Sequence, residues 1–175
     1  AGFLIVGKES TDFVTDFRYM EQAESQCVGW NIVIHGGAPM EKLEEVIRKA
    51  GINRLGIEEN FMTVSFSEEI KKALPGILLV PAGNVFAKLR IKKDNTEIAN
   101  IRKAAAIADE AFSHILGYIR PGLSEAEVAL ELEYFMKKKG ASGLAFDTIA
   151  ASGIRSSLPH GIASEKLIRT EEFLT

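Results

Sequence analysis

The segment from residue 146 to residue 161 contains the side chain best suited to acid–base chemistry. It reads FDTIAASGIRSSLPHG and ends in His160 and Gly161. An imidazole can donate or accept a proton near neutral pH. Pro159 restricts the backbone before His160, and Gly161 removes side-chain bulk after it. The many small, apolar and hydroxylated residues predict a β-hairpin that holds the imidazole in a fixed position, where a buried active site could use it.

The other two histidines and the single cysteine are better explained by structure than by chemistry. His35 precedes two glycines, a pattern typical of an exposed loop. His114 lies inside a long helical pattern, where we expect a structural role. Cys27 is the only cysteine, so the chain has neither an intrachain disulfide nor a Cys-based zinc cluster. We interpret Cys27 as a packing residue, and its isolation favours a reducing compartment, the cytoplasm.

Other kinds of catalytic centre are mostly excluded by the sequence. It has no glycine-rich phosphate loop, no G-x-S-x-G elbow and no H-E-x-x-H motif. Ser156 and Ser157 lie close to His160 along the chain, but no acid is evident that would orient the histidine as a base. Asp147 is the only acid between residues 140 and 164, so this segment alone cannot form a carboxylate metal site.

The composition indicates a globular protein without a nucleic-acid or membrane partner. Of its 175 residues, 46% are hydrophobic and 26% are charged. The net charge of −3 gives no electrostatic reason to bind nucleic acid or an anionic membrane. No apolar run approaches the roughly 20 residues that a membrane span requires. The start of the chain, AGFLIVGKES, predicts a short strand and not a signal peptide.

The first half of the chain alternates between strand-like and helix-like patterns. Apolar runs predict strands over residues 2–6, 12–15, 30–34, 54–57 and 77–80, and apolar residues at helical spacing predict helices over 17–26, 39–50 and 63–74. This alternation is typical of an α/β layer around a mixed or parallel sheet.

The second half follows a different pattern. A long helix is predicted from Asp94 to Ile119, and we expect its apolar stripe to pack in a core and not in a coiled coil. The stripe consists of the residues at alternating three- and four-residue spacing: Ile98, Ile101, Ala105, Ala108, Phe112, Ile115 and Ile119. A second helix begins at Ser124, where Glu127 completes a capping box, and runs to residue 140. Strands and turns follow, with the glutamates at 171 and 172 in a solvated turn. The change of pattern at residues 81–84 predicts two domains, residues 1–84 and 85–175.

Four segments together resemble the pita-bread metallopeptidases, in the Xaa-Pro aminopeptidase and Xaa-Pro dipeptidase (prolidase-like) branch. Besides the segment ending in PHG, they are VTDFRYMEQA at residues 14–23, LRIKKDNTEIANIRKAAA at 89–106 and RPGLSEAEVALELEYFMKKKGA at 120–141. The resemblance implies an α/β fold class: an N-terminal creatinase/prolidase-like α/β domain, followed by the first half of a pita-bread (α+β) catalytic domain.

The resemblance also implies a function. Members of this branch are metal-dependent exopeptidases that hydrolyse the bond between an N-terminal residue and proline, using two divalent metal ions, manganese or cobalt, held by two Asp, one His and two Glu. His160 matches the histidine of the family's PHG motif. That residue is not a metal ligand; it contacts the substrate and helps to stabilise the tetrahedral intermediate. A peptide substrate and a homodimer are implied as partners.

The ends of the chain depart from the family pattern. The first metal-ligand Asp of the family follows a Leu-Thr-like strand end, and this chain stops at Leu174 and Thr175. Family members also carry a helix and a strand before the segment that AGFLIV matches. We therefore expect a fragment truncated at both ends, without the first helix and strand, without metal ligands, without bound metal and inactive by itself. A non-catalytic pita-bread module that binds peptides or proteins is the alternative function. The choice between aminopeptidase and dipeptidase stays open at this point.

Overall fold

The computed structural model describes residues 2–175, which form two compact units divided between Lys92 and Lys93. The sequence change at residues 81–84 instead placed the division near residue 85. The difference is the helix Gly83–Ile91, which the structure includes in the first unit. No helix within residues 2–175 is long and apolar enough to cross a membrane.

The first unit contains two small sheets. In one, β1 (Gly2–Val6) runs antiparallel to β2 (Thr11–Asp16), and β2 runs parallel to β3 (Asn31–His35). In the other, β4 (Arg54–Ile57) pairs in parallel with β5 (Leu78–Pro81). The predicted strands and the mixed α/β arrangement are confirmed.

Several helices accompany these sheets in the first unit, and the two that follow β3 and β4 pack apolar residues against them. The helical segments are a 3-10 turn at Phe17–Tyr19, α1 (Met20–Gln26), α2 (Pro39–Lys49), α3 (Val64–Ala73) and α4 (Gly83–Ile91). Proline suits the first turn of α2, where a backbone N–H has no partner in the helix. Leu43 and Val46 of α2 pack on Ile5 and Val14 of the sheet, and Ile47 packs on α3. Apolar residues three and four apart therefore form the core side of α2, as the sequence predicts.

The second unit is built on two helices that begin at capping boxes. In α5 (Asn95–Tyr118) the cap is Asp94 with Glu97, and in α6 (Glu125–Lys138) it is Ser124 with Glu127. Each pair satisfies backbone N–H groups that the first turn leaves without partners. Both helices confirm the prediction from the sequence.

The buried stripe of α5 differs from the predicted one. Ile107, Ala111 and Ile115 are buried, whereas Ile101 and Phe112 are exposed. The apolar residues of α5 extend around more than one side of the helix, and the core of the unit, which includes Val128 of α6, covers the side that carries Ile115. Spacing alone therefore identified the helix but not its buried side.

The chain after residue 141 does not form the predicted hairpin. Ile149 and Ile162 make a single antiparallel bridge, and a 3-10 helix (Gly153–Ser157) occupies the interval between them. The hydroxyls of Ser156 and Ser157 donate to the carbonyls three residues before them, at 2.7 and 2.8 Å. Such local bonds compete with a ladder for backbone partners, which explains the 3-10 turn.

Candidate functional site

His160 lies at the tip of an exposed turn in the second unit. The N–H of Gly161 donates to the carbonyl of Leu158 at 3.1 Å, which closes the turn around Pro159 and His160. Within residues 2–175 the imidazole has no hydrogen bond or ion pair. The ring is therefore free to contact a molecule outside this part of the chain, although the described residues do not bury it.

The turn packs directly on the buried residue Ala151. A β-carbon at position 161 would lie 2.7 Å from the β-carbon of Ala151, which is too close for two non-bonded carbon atoms. Glycine is therefore required at 161 by close packing. This contact holds the turn that carries His160 close to Ala151.

A buried carboxylate holds both ends of the segment that carries His160. Glu125, at the start of α6, has 0% of its surface exposed. Its Oε1 accepts from the N–H and the hydroxyl of Ser152, at 2.7 and 3.0 Å. Its Oε2 accepts from the hydroxyl and the N–H of Ser164, at 2.7 and 3.2 Å, and from Nε of Arg155 at 3.1 Å. One side chain thus connects the helix to residues on both sides of the histidine.

The surroundings of Glu125 keep it ionised. Burial by itself raises the pKa of this carboxyl. The donors from Ser164, Ser152 and Arg155 act in the opposite direction and lower the pKa from 4.5 to about 2. The N-terminus of α6 also favours a negative charge at this position. The carboxylate is therefore a permanent acceptor at neutral pH.

A second ion pair extends this network. Nζ of Lys166 donates to the hydroxyl of Ser152 at 2.8 Å and to Oε2 of Glu172 at 2.7 Å. Glu172 also accepts from the N–H of Arg169, and both contacts lower its pKa. The prediction of a solvated Glu172 is wrong, since its side chain is only 20% exposed. Its neighbour Glu171 is exposed, as predicted.

The sequence did not single out Glu125. The SEAE pattern predicts only the capping box, which Ser124 and Glu127 form on either side of it. The partners of Glu125 are 27 to 39 residues away along the chain, so no local pattern marks it. The only available signal was an acid followed, much later, by a stretch rich in serine and cations.

The other histidines have structural surroundings. Nε2 of His114 lies 2.7 Å from Oε1 of Glu131, and the ring stacks on Phe135. This pair joins α5 to α6 and agrees with the structural role expected of His114. His35 ends β3, is half-buried, and accepts from the N–H of Gly37 at 3.3 Å. The expectation of an exposed loop residue at 35 is therefore wrong.

The DFRY segment of the first unit contains a tight ion pair. Asp16 accepts from the backbone N–H of Arg18 at 3.0 Å and from its guanidinium at 2.8 and 2.9 Å. These bonds lower the pKa of Asp16 to about 2. Phe17, between the two residues, is exposed. The pair gives the turn after β2 a fixed shape and directs an aromatic ring to solvent.

The described residues do not fit a metal centre. Among residues 2–175 no three His, Cys, Asp or Glu side chains are grouped so that they could hold a metal ion. We therefore assign no chemical step to a metal within this part of the chain.

Both units match known protein families. The creatinase/prolidase N-terminal domain matches residues 1–92, and metallopeptidase family M24 matches residues 99–175. Among curated proteins, peptidase YqhT of Bacillus subtilis is 43% identical over 175 residues, which are 100% of this chain and 50% of that protein. The Xaa-Pro dipeptidase of Pyrococcus horikoshii is 39% identical over 165 residues, which are 94% of this chain and 45% of that protein.

Solved structures give the same result. The Xaa-Pro dipeptidase from Bacillus anthracis has a TM-score of 0.92 and 46% identity, and the match covers 99% of this chain and 49% of that one. The X-Pro aminopeptidase from Thermotoga maritima has a TM-score of 0.91 and 32% identity, with the same coverage. The chain spans about half the length of the relatives that it matches. It belongs to the creatinase/prolidase family, with the N-terminal domain of that family followed by part of a family M24 metallopeptidase domain.

Proposed function

We propose that the full-length protein containing this chain is an Xaa-Pro peptidase, which hydrolyses the bond between an N-terminal residue and proline. The observation that carries the proposal is the similarity of nearly the whole chain, in both units, to proteins described as Xaa-Pro dipeptidases. The fold by itself would not suffice, since one fold supports many activities. The matched segment includes the PHG turn, the element of this chain best suited to contact a substrate.

In this proposal His160 contacts the peptide and helps to stabilise the tetrahedral intermediate. Three features support that role: the exposed imidazole, its lack of a partner within residues 2–175, and the close packing of Gly161 on Ala151. A hydrogen bond aimed at charge that develops in the transition state accelerates acyl transfer, because the donor is already in position when the reaction begins.

We also propose that activity depends on two divalent metal ions, manganese or cobalt, since the matched family is one of metallopeptidases. Bound metals of this kind polarise a carbonyl and supply hydroxide near neutral pH. Their ligands would come from residues of the full-length protein outside the described part, and residues 2–175 alone would be inactive. A cytoplasmic homodimer completes the proposal.

The test is manganese-dependent hydrolysis by the full-length protein. The substrates are an Xaa-Pro dipeptide, an Xaa-Pro-Yaa tripeptide and a matched Xaa-Ala-Yaa tripeptide, with this 175-residue chain assayed in parallel. We expect cleavage of proline substrates by the full-length protein only. Cleavage of the dipeptide alone indicates a dipeptidase, and cleavage of the tripeptide indicates an aminopeptidase. If neither is cleaved and manganese does not bind, the proposal is wrong and a non-catalytic peptide-binding module takes its place.

A further inference from the structure

We propose that Glu125 is a positioning residue for His160: it fixes both ends of the segment 152–164, so that the turn at its tip presents the imidazole in one place. The catalytic part of this inference rests on the proposed peptidase function. Its structural part, the control of the segment by one carboxylate, depends only on the geometry of the second unit.

The first step of the argument is that the two ends of the segment meet at one side chain. Ser152 and Ser164 each give Glu125 a backbone N–H and a hydroxyl. Hydrogen bonds to a charged acceptor are shorter and stronger than neutral ones. With four of them at the two ends, the segment becomes a closed loop whose opening must break contacts to a buried charge.

The second step is that Arg155 carries the constraint toward the tip. Its Nε donates to Glu125, while its Nη2 donates to the carbonyl of Ile162 at 2.7 Å. One planar guanidinium thus connects the carboxylate to the chain two residues after His160. Because the fork of a guanidinium is rigid, a displacement at the carboxylate is transmitted to Ile162.

The third step is that Glu125 is poorly explained as a stabilising residue alone. Burying a carboxylate has a large desolvation cost, and well-packed apolar residues often serve stability equally well. A carboxylate that accepts five hydrogen bonds, four of them from the two ends of one segment, instead specifies a single arrangement of that segment. The segment that it specifies is the one with the free imidazole.

The experiment compares Glu125→Gln with Glu127→Gln in the full-length protein. Glu127 lies on the same first turn of α6 but bonds only to Ser124, and glutamine preserves its capping role. At position 125 a glutamine amide turns one acceptor into a donor that faces other donors. Both variants are also made in the His160→Ala background.

If Glu125 acts through His160, Glu125→Gln lowers kcat by about 10- to 100-fold, because small displacements of a catalytic group have effects of that size. KM changes little, and Glu127→Gln does not lower kcat to a comparable extent. In the His160→Ala background, Glu125→Gln causes no further decrease in kcat. An equal loss in both backgrounds would overturn the inference, because it would show a general structural effect.

Hydrogen–deuterium exchange provides a readout that does not need activity. We expect Glu125→Gln to increase the exchange of amides in residues 152–164 by at least tenfold relative to Glu127→Gln. Unchanged exchange in this segment would overturn the inference even in an active enzyme. If the wild-type protein cleaves no proline peptide, the proposed function fails, and the exchange result still decides whether Glu125 holds the segment.

Discussion

Replacing Gly161 with alanine tests how tightly the histidine turn is held against the core. The new β-carbon would lie 2.7 Å from the β-carbon of Ala151, which is 0% exposed. Carbon atoms pack at about 3.5–4.0 Å, so the two backbones must separate by about 1 Å. Overpacking of this kind costs about 1–3 kcal/mol, and we expect Gly161→Ala to lower the free energy of unfolding by about 2 kcal/mol.

The assay is urea denaturation of the full-length protein, with Gly143→Ala as the matched control. A β-carbon at 143 meets no atom within 4 Å, and the backbone there does not require glycine. We therefore expect the control to change the free energy of unfolding by less than about 0.5 kcal/mol. Since the turn carries His160, Gly161→Ala should also reduce kcat in the peptidase assay.

The double variant Ala151→Gly/Gly161→Ala identifies the cause of the loss. Removing the methyl group of Ala151 creates the space that the new β-carbon needs. Alone, Ala151→Gly should cost about 1–2 kcal/mol from lost burial and greater chain freedom. Together the two changes should be less harmful than their sum, by about 2 kcal/mol. Additive losses would refute the close contact as the reason for glycine at 161.

Substitutions at three other positions probe the network and the turn separately. The pKa of Glu125 is lowered from 4.5 to about 2, so its charge stabilises the fold above pH 4.5, and this contribution is lost as the pH falls to about 2. The free energy of unfolding of Glu125→Gln, measured by urea denaturation, should therefore depend less on pH in this range than that of the wild-type protein. Gly153 has a φ of 58°, and a β-carbon there would lie 2.5 Å from Glu172. Gly153→Ala should therefore lower the free energy of unfolding by about 2 kcal/mol. An unchanged free energy of unfolding in urea denaturation would show that alanine causes no strain at this position. His160→Ala should lower kcat about 10²-fold with metal content unchanged, and an unchanged kcat would remove its assigned role.

The parts of the fold that the sequence predicts are those decided by neighbours along the chain. The predicted capping box of Ser124 and Glu127 involves two residues three positions apart, and α6 begins there. The helical pattern also gives the start of α5 at Asp94, where the structure adds a second capping box that was not predicted. The apolar spacing of α2 likewise identifies its core face. In these cases the physical cause lies within one turn of helix, so it is visible in the sequence.

What the sequence does not reveal is decided by residues far apart. Phe112 is as apolar as Ile115, and only the position of the packed core decides which of them is buried. The hairpin expected around residue 155 is replaced by a 3-10 turn because serine hydroxyls compete for the carbonyls. Glu125 resembles any surface glutamate of a first helical turn, and its burial depends on partners up to 39 residues away.

Ser152 explains why the network around the histidine segment behaves as one unit. Its hydroxyl donates to Glu125 and accepts from Lys166, so it joins the ion pair of Glu125 with Arg155 to the ion pair of Lys166 with Glu172. Two negative and two positive charges are thereby balanced around one serine that is itself completely buried. Removing the charge of Arg155 would leave the fully buried carboxylate of Glu125 without its ion-pair partner, which is costly. The pair of Lys166 and Glu172 is partly exposed, so the loss of either of its charges costs less. The arrangement therefore favours a single conformation of the segment, and the contribution of each member can be measured only together with that of its partners.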